Sequence, residues 1–390
     1  MFYKKRASIV VISLLLLGAI FTLGLSNNSL IENENLNPQS SLFKYPVTAG
    51  GVGWVAGNSL GDGYGIILHT TDGGSRWERQ GSEGEIPDVD LATVSAVDVC
   101  NAWVVGGVSD GYGVILRTQD GGKSWTRQGD KDQIPEVGIL AIHAVNNSIA
   151  WAAGGDVILL TKDGGATWNK QAQGLATGYG LFGVYASDAN HVWVVGGCGD
   201  QSCQDEPGII LRSKNGGKTW KRTYHQKGEL GGYLISVHGL DSKTVWTVGN
   251  DTVLHTTDGG KTWQDKTPAE GGGFYDWNGV FAVDNENIWF ARDNDGIFKY
   301  DGSKWHTYPM PSDSGNEFYH LLRVSAIDPE KVWIVGFSPP NSGNIIHTET
   351  GDENWITQDP GLDTGFWGVS FVKPGICNPQ NYYLPLAAVE

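Results

Sequence analysis

One motif returns seven times along this 390-residue chain, at intervals of roughly 40 to 50 residues, and it constrains the fold more than any other feature. TTDGGSRW at Thr70–Trp77 recurs as TQDGGKSW at Thr118–Trp125, TKDGGATW at Thr161–Trp168, SKNGGKTW at Ser213–Trp220 and TTDGGKTW at Thr256–Trp263. Two worn copies complete the set: KYDGSKW at Lys299–Trp305, one residue short, and TETGDENW at Thr348–Trp355, in which the first glycine has moved. Such a period is the signature of stacked or radially arranged units that cannot bury their apolar faces alone.

Two further elements share the period. A tryptophan strand precedes each box, at Trp54, Trp103, Trp151, Trp193, Trp246, Trp289 and Trp333, and an apolar run is centred on Val94, Ile142, Val184, Val237, Val280, Val324 and Val369. The order is apolar run, Trp strand, a strand such as GVILRT, box, and a short strand opened by the box tryptophan. That is a four-stranded blade, and seven blades make an all-β, seven-bladed β-propeller. The first Trp strand has no apolar run before it, and the last run, FWGVSFV at Phe366–Val372, has no Trp strand after it. The C-terminal strand is therefore expected to complete the N-terminal blade and close the ring, removing its free edges. The 56 glycines and 16 tryptophans suit short strands, tight turns and large aromatic anchors.

The box explains itself mechanically. Asp72, Asp120, Asp163, Asn215, Asp258 and Asp301 can accept backbone N–H groups of a tight turn, the glycines can take positive φ, and the tryptophan can pack under the turn. One carboxylate per turn is too few oxygens for a calcium cage, so no metal and no cofactor is expected.

Four segments are expected: 1–26 as signal peptide or signal anchor, 27–48 as a polar tether, 49–374 as the propeller and 375–390 as a tail. Lys4, Lys5 and Arg6 precede an apolar run from Ala7 to Leu25, long enough to stay in a membrane as an anchor, while Gly24-Leu25-Ser26 offers a weak cleavage site. Either way the propeller is expected outside the cytoplasm. The net charge of -16 becomes -19 beyond Ser26, because three basic and no acidic residues are lost; this disfavours nucleic acid and anionic lipid as partners. In an exported chain the four cysteines suggest disulfides: Cys198 with Cys203 within one loop, and Cys100 with Cys377, latching the closing strand.

The pairing of WVVG-like strands with TxDGGxxW, over about Gly50 to Val372, resembles the Asp-box (bacterial neuraminidase repeat) propellers, and most of all the photosystem II stability and assembly factor family. That resemblance implies a non-enzymatic, extracytoplasmic, monomeric propeller holding a protein partner, a membrane protein among the clients. Asp-boxes also occur in sialidases, oligoxyloglucan-type glycosidases and sortilin-type receptors. The chain departs from the photosynthetic members in being acidic and poor in arginine, which leaves the photosystem itself open.

Function is expected on the face opposite the boxes, where the longer and more varied loops gather. The position before each central apolar residue reads Thr93, Ala141, Gly183, Ser236, Gly279, Arg323 and Gly368: six small residues and one arginine. Arg323, with Arg292, Asp90, Asp276, Trp277, His320, Trp367, Tyr64 and Tyr112, forms the candidate partner-binding site. The second reading is a carbohydrate-active propeller, with Tyr64, Tyr112, Tyr179, Tyr275, Trp277 and Trp367 stacking on sugar rings, and Asp90 with Asp276 as the carboxylate pair. A sialidase-like site would need three convergent arginines, and only two suitable ones are present; no enzyme is expected.

Overall fold

Each tryptophan strand is buried on both faces, and tight turns to the strands on either side make every repeat a small antiparallel meander. The computed structural model describes residues 50–198, 208–223, 232–268, 276–293, 296–311, 320–338, 342–375 and 377; the apolar N-terminal run, the tether, most of the tail, Cys203 and Tyr275 lie outside them. The described residues form seven four-stranded antiparallel sheets and no helix.

Blade 1 takes its innermost strand from Phe366–Val372 and continues through Val52–Gly57, Ile66–Thr70 and Glu78–Arg79. The closing pair runs from Val52 opposite Val372 to Gly57 opposite Phe366. The innermost strands of blades 2 to 7 are Leu91–Ala96, Ala141–Ala144, Gly180–Ala186, Leu234–Gly239, Trp277–Ala282 and His320–Ala326. Each adjoins the innermost strands of both neighbouring blades, so the ring is continuous and closed as the repeat order requires.

The box turns are built alike. In the first, Thr70 Oγ1 donates to Asp72 Oδ1 at 2.9 Å, accepts the Gly74 N–H at 2.9 Å, and Asp72 Oδ1 accepts the Arg76 N–H at 3.0 Å. The same three bonds recur around Asp120, Asp163, Asn215 and Asp258. In the shortened sixth turn Asp301 accepts the Ser303 and Lys304 N–H groups at 2.9 and 2.6 Å. In the seventh the role passes to Asp352, which accepts the Asn354 N–H at 3.0 Å and sits two residues later than the motif places it. The Gly73 N–H meets the Gly51 carbonyl at 3.0 Å, tying the turn to the start of its own blade's second strand and defining a box face.

The tryptophans do more than pack under their own turns. Trp54, Trp103, Trp151, Trp193, Trp246, Trp289 and Trp333 are at most 2 % exposed. Each shares a core with the box tryptophan of the following blade: Trp103 with Trp168 at 5.8 Å edge-on, Trp151 with Trp220 at 5.7 Å, Trp289 with Trp355 at 5.6 Å. The seven apolar cores therefore lie in the seams between blades, and each blade completes its neighbour's. The second box glycine belongs to this seam. Gly122, at φ +83°, leaves no room for a Cβ, which would collide with Gln80 of blade 1; that glutamine also donates to Gly121 O at 3.1 Å.

Nearer the axis, side chains stitch one inner strand to the next. Ser370, Ser95 and Ser325 accept the N–H groups of Ala96, Ala144 and Phe371 at 3.0, 3.0 and 2.9 Å, and His238 Nδ1 accepts that of Ala282 at 3.1 Å. On the outer side of the core, the residue opposite the buried tryptophan is a histidine or a cation in six blades: His69, Arg117, Arg212, His255, Lys299 and His347. His255 stacks on Trp246 at 3.9 Å and His347 on Trp333 at 4.5 Å. Burial pulls the imidazoles of His69, His143, His255 and His347 down to about 4 and that of His238 to about 3.

A disulfide joins Cys100, in the turn between the first two strands of blade 2, to Cys377 just past the closing strand, with 5.0 Å between Cα atoms. Cys198 is also disulfide-bonded. The expected partner, Cys203, lies outside the described residues.

Candidate functional site

Opposite the boxes lies the loop face, where second and third strands are joined and one blade passes to the next. At this end each innermost strand except that of blade 3 carries a β-bulge, placing Ala92, Phe182, Ile235, Asn278, Leu322 and Trp367 out of register just before the small-residue position. Bulges increase local twist and re-aim side chains, so the axial end of this face departs from the regular pleat.

Across blades 5, 6, 7 and 1 the sequence-selected residues join one contact chain. Asp276 is 4 % exposed; its carboxylate accepts Asn250 Nδ2 at 2.7 Å and the Tyr233 hydroxyl at 3.3 Å, and burial raises its pKa against these bonds. Its carbonyl accepts the Asp293 N–H at 3.0 Å. Asp293, equally buried, takes Asn278 Nδ2 at 2.7 Å and faces His320 Nδ1 at 3.4 Å. His320 stacks on Phe337 at 4.6 Å, Phe337 meets Trp367 at 5.5 Å, and Trp367 Nε1 donates to Asn58 Oδ1. One residue along, the Ser59 N–H donates to Asp90 at 2.9 Å, and burial raises the Asp90 pKa as well.

Arg323 enters this chain through Asn278. Its Nη1 donates to the Asn278 carbonyl at 2.9 Å and to that of Leu322 at 3.0 Å. Arg323 is partly buried, and this desolvation lowers its pKa to about 10.

Two expectations, for Trp277 and Arg292, are corrected by this geometry. Trp277 offers no ring to a ligand: it is 1 % exposed, packed on Phe298 at 4.9 Å and Trp305 at 5.7 Å, because the bulge after it turns the start of the strand into the seam between blades 5 and 6. Arg292 is 5 % exposed and lies over Phe298 at 4.4 Å and Trp277 at 5.0 Å, a seam residue rather than a reaching one. Tyr64 and Tyr112 each have one ring face covered by an arginine of their own blade, Arg79 at 3.7 Å and Arg127 at 3.8 Å. Those arginines are held in turn by Asp62 and Asp110, the aspartates of GDGYG and SDGYG.

Asn278, Asp293, Asn250, Tyr233, Asn58 and Phe337 were not selected from sequence. Asn278 carried a legible signal, since its counterparts in the other bulges are apolar. The others are ordinary polar and aromatic residues until the blades are set side by side.

No protein-family model and no curated protein matches the chain. Solved structures do. YCF48 from Cyanidioschyzon merolae aligns over 81 % of this chain and 98 % of its own, at 18 % identity and a TM-score of 0.53. YCF48 bound to a D1 peptide aligns over 71 % and 85 %, at 16 % identity and a TM-score of 0.53. The GH74 xyloglucanase from Xanthomonas campestris aligns over 83 % of this chain and 55 % of its own, at 15 % identity and a TM-score of 0.53. At these identities the likeness is one of fold, and the fold is shared by a peptide-bound propeller and a glycoside hydrolase alike.

Proposed function

We propose that the chain is a non-catalytic binding scaffold that takes a segment of a protein partner on its loop face, outside the cytoplasm, and that its clients include membrane proteins. The observation that carries this reading is how the two candidate carboxylates are used. Asp90 is engaged by Ser59 beside blade 1, and Asp276 by Asn250 and Tyr233 beside blade 5. They belong to blades that are not neighbours, whereas hydrolysis of a glycosidic bond needs two carboxyl groups flanking one bond, about 5 to 10 Å apart. Aromatic and amide groups converge instead between blades 6, 7 and 1, a surface suited to peptide backbone and side chains. The peptide-bound YCF48 structure supports the same direction, since a propeller of this fold is found with a bound peptide.

Affinity capture from the native membrane tests the proposal, comparing wild type with a folded His320→Ala, Trp367→Ala double variant. A stoichiometric protein partner retained by wild type and lost in the variant is the expected result. Retention of glycan, or release of reducing sugar from it, with no protein partner would replace the scaffold with the carbohydrate reading.

A further inference from the structure

Arg323 occupies a position that the ring otherwise keeps small. A Cβ on Gly279 or Gly368 already stands 3.0 or 2.7 Å from backbone of the next blade's inner strand, so a long side chain cannot pass between the strands there. The guanidinium instead turns back over the bulge carbonyls of blades 6 and 7, and only Nη1 is used. Among the described residues no carboxylate pairs with it. Arg323 is partly exposed, and its Nε and Nη2 make no hydrogen bond to another described residue. The edge that binds a carboxylate side-on is therefore left unused by the described residues, on a cation held in place by two carbonyls.

A partly buried charge without a counterion carries a desolvation cost, and such charges are ordinarily paired. We propose that Arg323 is an anion subsite at the axial mouth of the loop face, and that it takes a single carboxylate carried on an apolar chain. Planarity favours a carboxylate, whose two oxygens match the Nε–Nη2 edge. Asp276 and Asp293 stand behind Asn278, already bonded, and their charge opposes a dianion such as phosphate. The apolar requirement comes from Trp367, the partly exposed bulge residue of the next inner strand. This deepens the scaffold reading and rests on it for what carries the carboxylate.

The test uses the whole exported protein with sodium hexanoate, hexanamide and inorganic phosphate as probes, read by calorimetry. Hexanoate is expected to bind, hexanamide and phosphate to bind at least about tenfold more weakly, and Arg323→Gln to abolish the difference between acid and amide. Should that variant fail to fold, the Arg323 Nε–Hε resonance of wild type serves instead, and it should move with hexanoate alone. Equal binding of acid and amide, tighter binding of phosphate, or full hexanoate affinity in Arg323→Gln overturns the subsite. Partner capture separates the two proposals: a captured protein without acid selectivity leaves the scaffold and removes the subsite, and acid selectivity without a captured protein does the reverse.

Discussion

The two faces of the ring are made on opposite principles. On the box face a few bonds are repeated with little variation, so the distance from the Asp or Asn oxygen to the fourth following N–H is 2.9 to 3.0 Å in five turns whose flanking residues differ. On the loop face the blades from 5 to 1 contribute different sets of groups, and the contact chain from Asn250 to Asn58 crosses several seams. A turn closed by its own eight residues can be copied; a surface assembled from different blades cannot. Between the two lies the seam layer, where the apolar cores are buried between blades and most of the stability is expected.

The largest expected effect concerns that layer. Desolvation holds five imidazoles, His347 buried and His69, His143, His238 and His255 partly buried, at about 4 or below, against 6.5 for free histidine, so the unfolded chain binds more protons between these values. The stability they contribute is fully present above pH 6.5 and is lost as pH falls towards 4. Denaturant midpoints at pH 7 and 4.5 should differ by more than any single substitution below, and equal midpoints would assign these histidines ordinary values. Next, Trp193→Ala should cost about 3 to 5 kcal/mol by opening the core between blades 4 and 5. Replacing Cys100 and Cys377 by serine should cost about 2 to 5 kcal/mol, because the bond closes a loop spanning 277 positions in the unfolded chain. A box substitution, Asp163→Ala, removes bonds to the Thr167 N–H and hydroxyl at a cost of about 1 to 2 kcal/mol. A loss as large as that of Trp193→Ala would mean that the turns, not the seams, carry the ring. The smallest change should come from Tyr112→Ala, which uncovers Arg127 on the loop face and should shift stability by less than about 1 kcal/mol.

The contrast also sets what could be read before any coordinates. Blade number, strand order and closure follow from the repeat, because each depends on residues close in sequence or on a count. The seams were hidden, since nothing in TKDGGATW says that Trp168 packs on Trp103 of the preceding blade. Trp277 looked available because it closes a loop, and only the bulge shows which way it turns. Asp352 escaped notice because the seventh turn moves its aspartate and keeps the bonds. Arg323 was legible for a simple reason: it breaks a rule of size that six other blades keep.

The disulfide beyond the closing strand determines where a mechanical load would travel. The first and last strands of the ring lie side by side in blade 1, so a pull on the C-terminal segment would otherwise peel Phe366–Val372 away from Val52–Gly57 one pair at a time. With Cys377 fastened to Cys100, the pull passes first into the turn of blade 2, and the closing strand is spared.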